Sequence, residues 1–222
     1  MNEIIFFIHV SLLIGLSVFS LKTGEKALTC FIVLMGILSN LFVLKQIQLF
    51  SLTVTASDAY AICGIFSLNM IQEYYGEKAA KKTVFINFFF LFIFGILSTI
   101  HIQYIPSIFD KTQHAYLTLL SPSFRLILAS LICYFFSQKI DLFLFSFFRR
   151  NLFKRSLSLA SIASSSISQI FDTTAFTFLA LYGQVNAVLE VILLSLTIKF
   201  ITILLMSPMM NLSKKIIMRT PC

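Results

Sequence analysis

Apolar runs of about 20 residues recur along the whole chain, each long enough to cross the roughly 30 Å hydrocarbon core of a bilayer. This feature limits the fold more than any other. In lipid, every backbone N–H and C=O must be satisfied internally, so such runs become helices. Composition points the same way: 58% of residues are hydrophobic, only 12% are charged, and mean hydropathy is +0.93. That charged share is half the roughly 25% of a soluble domain, too little to cover so apolar a core. The chain reads as all-α, a polytopic transmembrane helical bundle forming a single integral membrane domain over residues 1–222.

Seven spans are expected, at about 4–21, 27–44, 54–74, 83–105, 117–137, 156–182 and 186–208. Breakers mark their edges: Gly24 and Gly76 in turns, Pro106 after the fourth span, Gly183 before the seventh and Pro208 at its end. Basic residues then set the orientation. With the N-terminus outside, the inner loops hold Lys22, Lys26, Lys78, Lys81, Lys82, Lys139, Arg149, Arg150, Lys154 and Arg155, and the C-terminal tail holds Lys214, Lys215 and Arg219. These are thirteen of the seventeen lysines and arginines. The outer loops hold only Lys45 and Lys111, while Arg125 and Lys199 fall inside spans. The positive-inside rule therefore favours seven spans, N-out and C-in, and a count of six or eight breaks the alternation. The first run has no basic residues before it and no A-x-A site after it, so it reads as a retained helix and not a cleaved signal.

Several function classes lose support. The net charge of +8 reports loop orientation, not a nucleic-acid surface. Cys30, Cys63, Cys133 and Cys222 show no CxxC spacing, so neither a disulfide framework nor a metal site is expected. His9, His101 and His114 sit at or near span ends, and HExxH, GxSxG and P-loop motifs are absent. No enzyme activity and no cofactor are expected.

Polar residues inside the spans carry the functional signal. An ionisable group at mid-bilayer costs at least about 2.5–3.5 kcal/mol on insertion scales, so it faces the bundle interior with a partner. By span midpoints, Arg125, Asp172 and Lys199 fall near the midplane, with Gln169 one turn from Asp172 and Asn40 slightly outward of centre. Asp58 lies near the outer end of the third span and Glu73 near its inner end; Asp58, Asn69, Gln72 and Glu73 share one helix face. The fifth span carries Ser130, Tyr134, Gln138 and Asp141 in one stripe, with Asp141 expected near the span end. The bland alternative is that Arg125 or Lys199 pairs with Asp172 only to lock the bundle. For Glu73, a snorkelling helix end is an equal alternative, and for Tyr134 packing is the better one. The serine-rich stretch Ser156–Gln169 reads as a close-packing face. Midplane cations and a carboxylate together exceed what packing needs, which favours a solute pathway.

The order and spacing of these residues resemble the queuosine precursor transporter family, also called the vitamin uptake transporter family. The matching pieces are SNLFVLK (Ser39–Lys45), NMIQEYYGEKAAKK (Asn69–Lys82), the series Arg125, Ser130, Tyr134, Gln138 and Asp141, then DTTAF (Asp172–Phe176), Lys199 and Pro208. Two positions depart from the pattern. Asn69 stands where the family has an Asp, and Ser57–Asp58 stands where longer members have a Gly-Asn pair, so acid and amide are exchanged on one face. The resemblance implies a six-helix core preceded by an extra N-terminal helix, in a multi-pass protein of the bacterial inner membrane. It also implies import of a 7-deazaguanine: preQ0, preQ1 or queuine. On that reading Asp172 or Glu73 accepts the guanine edge, a second acid pairs a substrate amine, and Asn40, Gln138 and Gln169 assist. Arg125 and Lys199 tune or gate the carboxylates. The implied partners are the small 7-deazapurine and the lipid bilayer, with no nucleic acid; a homo-oligomer is left open. Two rivals stand beside this reading: a substrate-binding subunit of an energy-coupling-factor importer, and a structural membrane protein with buried ion pairs.

Overall fold

The computed structural model describes residues 1–42, 45–49, 52–55, 57–120, 124–181 and 188–217. Its elements are α1 (Asn2–Thr23), α2 (Glu25–Leu41), a hairpin of β1 (Gln46–Leu49) and β2 (Leu52–Thr55), α3 (Asp58–Tyr75), α4 (Glu77–His101), α5 (Gln113–Leu120), α6 (Phe124–Phe147), α7 (Leu157–Phe176), α8 (Val188–Met206) and α9 (Pro208–Ile217). Single π turns, Phe148–Leu152 and Thr177–Leu181, extend α6 and α7.

Helix occupies most of each expected span, with informative differences at the edges. The third span starts at Asp58 because Leu52–Thr55, rich in β-branched residues, pairs antiparallel with Gln46–Leu49. The fifth helix runs ten residues past its expected end, since the apolar run Leu142–Phe148 continues it. Asp141 therefore sits inside α6 and not at its edge. Pro208 does not merely end the last span; it opens α9, where its missing N–H costs nothing. By length and hydropathy, four helical stretches of the described residues suffice to cross a membrane: Asn2–Thr23, Glu77–His101, Leu131–Leu152 and Ser195–Lys214. α2 has only 17 residues, and α3 and α7 carry polar residues along their buried faces.

Two of the sharp turns rest on glycine. Gly24 (φ 126°) and Gly76 (φ 91°) join α1 to α2 and α3 to α4 in a backbone conformation that a side chain would strain. Contacts place several junctions at one end of the bundle. Tyr75 Oη donates to Leu21 O at 3.4 Å, Tyr74 Oη and Ser213 Oγ are 2.8 Å apart, and Ser158 Oγ donates to Ser207 O at 3.0 Å. The α1–α2 and α3–α4 turns, the start of α7 and the α8–α9 junction thus share an end, which also gathers most of the basic residues. At the other end the Asn2 amide donates to Gln48 O at 3.0 Å, tying α1 to the hairpin.

α3 is the central helix. Its residues from Ile62 to Gln72 are all buried, as expected of a helix surrounded by others. Hydroxyls in the helices mostly bond back to the carbonyl one turn earlier, as Ser67 does to Cys63 O (2.8 Å) and Thr202 to Ile198 O (2.9 Å), which keeps them satisfied away from water. Ser17 and Ser67 join α1 to α3 across 2.7 Å. α2 approaches α4 at Gly36, where an added Cβ would lie 2.6 Å from Asn87 Oδ1. Gly36→Ala is therefore expected to cost about 1–3 kcal/mol by overpacking, seen as a lower melting temperature of the purified protein in detergent.

Candidate functional site

The interior contains a polar seam between α3, α4, α6 and α7. Asp141 lies at its centre, 0% exposed. Its Oδ1 accepts a hydrogen bond from Ser168 Oγ at 3.3 Å, while Oδ2 has no hydrogen-bond partner among the described residues. Ser164 and Ser165 of α7 also face the carboxylate. So does Asn69 of α3, whose amide, though 0% exposed, makes no bond of good geometry. One turn earlier on α6, Gln138 Oε1 accepts from Asn87 Nδ2 at 3.4 Å, and the same amide reaches Tyr134 Oη at 3.3 Å. That hydroxyl sits against α3 beside Gly64, where an added Cβ would make ordinary contact with it at 3.5 Å.

Nine buried side-chain polar atoms lack a partner among the described residues, and every one is on α3, α4, α6 or α7. They belong to Asn69, Gln72, Asn87, Gln138, Asp141, Ser161, Ser165 and Gln169. Each such atom costs about 1–3 kcal/mol if left unmade. Nine would offset the whole stability of an ordinary domain, about 5–15 kcal/mol.

Ion pairs bracket the seam. Toward the hairpin end, Lys199 Nζ donates to Asp172 Oδ2 at 2.9 Å and to Thr173 Oγ1 at 3.0 Å. Asp172 is one helical turn beyond Ser168, a rise of about 6 Å, and Asp58 is within electrostatic reach of the same ammonium. Toward the basic end, Arg149 grips Glu73 through Nε (3.0 and 3.1 Å) and a terminal nitrogen (2.7 Å). Its other terminal nitrogen donates to Lys154 O. Gln72, beside Glu73, donates to Leu142 O at 3.0 Å and to Ser146 Oγ, stitching α3 to α6. Asp141, between these levels, has no cationic partner among the described residues.

The residues singled out in the sequence divide accordingly. Asn69, Gln72, Tyr134, Gln138 and Gln169 line the seam. Asp172 and Lys199 pair at one level, and Glu73 pairs with Arg149 at another, near the helix end. Asn40 bonds back to Gly36 O at 3.0 Å within α2. Arg125 is in the first turn of α6, and its side chain lies outside the described residues. Sequence reasoning missed Asn87, whose signal was a lone amide in a phenylalanine-rich run. It also read the α7 serines as packing only, although Ser164 and Ser168 are spaced one turn apart in line with Asp172.

Buried carboxylates, amides and hydroxyls in the interior of a membrane bundle fit the class of small-solute transporters, whose pathways carry such residues. Comparison with known proteins is consistent with that class. The family described as "Putative vitamin uptake transporter" matches residues 59–213, and the chain belongs to this family. A "Probable queuosine precursor transporter" of Bacillus subtilis (strain 168) is 30% identical over 198 residues, covering 87% of this chain and 86% of that protein. No solved structure matches the chain. It is a multi-pass membrane protein of a transporter family.

Proposed function

We propose that the chain imports a queuosine precursor, a 7-deazaguanine such as preQ0, preQ1 or queuine, across the bacterial inner membrane. The observation that carries this is the 30% identity, over 87% of the chain, to the Bacillus subtilis protein of that printed function. The seam supplies chemistry that suits such a solute. A guanine-type edge offers two adjacent N–H donors, which one carboxylate can accept together, and a carbonyl that needs a donor. Asp141, whose Oδ2 has no described hydrogen-bond partner, is the carboxylate for the edge, and the amides of Asn69 and Gln138 are placed to donate to the carbonyl. Tyr134 offers an aromatic face for the flat ring.

The two ion pairs act as closing contacts on either side. Asp172–Lys199 closes the route toward the hairpin end, and Glu73–Arg149 closes it toward the basic end. Seven spans with the N-terminus outside place that basic end in the cytoplasm, in line with the distribution of lysine and arginine. Alternate opening of the two contacts would expose Asp141 to one side at a time. The test is uptake in cells that neither make nor import queuosine, given each precursor in turn, with tRNA queuosine as readout. Modification restored by at least one precursor is the expected result; none with all three overturns the reading.

A further inference from the structure

A cleft of about 700 Å³ opens on the outside of the bundle between α4 and α6, toward the basic end, and meets the polar seam at Leu142 and Ser146, the partners of Gln72. Its wall is apolar, formed by Phe85, Phe135, Phe143 and Phe147. Phe85 and Phe143 are 64% and 71% exposed, so they face the surroundings and not the core. Its rim is cationic. Lys81, Lys139 and Arg150 border it, against a single carboxylate, Glu77. Glu77 is shared between Lys81 (2.7 Å) and Arg150 (3.6 Å). Lys139 has no described carboxylate partner, and its ammonium rests 4.3 Å from the centre of the Phe135 ring. Three cations against one acid leave an excess of two positive charges beside a greasy wall. Among the described residues, the interior cations Arg149 and Lys199 each pair with an acid.

We infer that this cleft binds an anionic phospholipid of the surrounding bilayer, its phosphate on Lys81 and Arg150, its acyl chain along the phenylalanine wall, and the Lys139 ammonium adding positive potential from deeper in the cleft. Charge complementarity selects the headgroup, and basic pockets between helices near a membrane surface are suited to such lipids. The wall distinguishes the lipid from a free anion, which would gain nothing from four aromatic rings. This inference is independent of which solute the seam carries.

The test is lipid retention by the purified full-length protein in neutral detergent, read by native mass spectrometry. The probe is an equimolar mixture of phosphatidylglycerol and phosphatidylcholine with identical chains. The expected result is about a tenfold preference for phosphatidylglycerol, abolished in Lys81→Gln/Lys139→Gln/Arg150→Gln. Lys22→Gln/Lys26→Gln/Lys154→Gln removes as much charge from the same end and should leave the preference intact. Lys139→Gln alone breaks no described ion pair, so it should lower the preference even if the triple variant fails to fold. Equal retention of the two lipids overturns the inference, as does an equal loss in both triple variants or an unchanged preference in Lys139→Gln. Displacement of the lipid by inorganic phosphate would also overturn it, by showing a free-anion site.

Discussion

Asp141→Asn will reduce precursor uptake about 10–100-fold while leaving membrane insertion and thermal unfolding nearly unchanged. The magnitude follows from replacing an acceptor oxygen by an N–H donor, which leaves a substrate donor unpaired at about 1–3 kcal/mol, at 1.4 kcal/mol per tenfold. The small structural effect follows from the surroundings. Asp141 holds no described cation in place, so the amide strands no counter-charge. The amide also has nearly the same shape and still accepts from Ser168. Uptake of labelled precursor and melting in detergent, measured on the same variant, separate the two effects. Wild-type uptake would remove Asp141 from the centre of the site.

The opposite pattern is expected one turn away. Lys199→Met will destabilise the fold by about 3–5 kcal/mol because it leaves Asp172 without its ion-pair partner, and Asp172→Asn by somewhat less because Asp58 stays within electrostatic reach of Lys199. The side chains of Asp172 and Lys199 are only 18% and 9% exposed. Asp172→Asn together with Lys199→Met removes both charges and should recover most of that stability. Uptake is what distinguishes a closing contact from a strut. If the pair only locks the bundle, the double variant will transport normally; if it closes the route, uptake will fall at least about tenfold although the protein folds. Melting curves with uptake rates on the three variants give the answer, and normal uptake in the double variant would discard the gating role.

Much of the architecture was legible in the sequence because bilayer insertion is a strong, local constraint. Runs such as Asn2–Thr23 and Glu77–His101 announce helices by length and apolarity alone. The turns at Gly24 and Gly76 were legible for the same reason, since a positive φ leaves its mark as a single residue type. Helical period placed Asn69, Gln72 and Glu73 on one face, and that face is indeed turned toward α6 or its π-turn extension. The depth of Asp141 was not legible. A helix continues as far as its environment stays apolar, and Phe143, Phe145 and Phe147 could as well have begun an interfacial loop. The hairpin was missed because nine residues between two greasy runs carry too little periodicity to separate strand from loop.

What the sequence by itself determined is therefore the membrane-embedded helical class, the gathering of basic residues at the loops, and the polar face of each helix. Only the tertiary structure decided which faces meet. It joined Glu73 to Arg149 across 76 positions, and Asp172 to Lys199 across 27. It set Asp141 against the α7 serines with no described cation. Periodicity fixes a side chain's direction on its own helix, but partners arise from how helices pack around one another. That packing is settled by close steric fit at places such as Gly36, which no local pattern encodes.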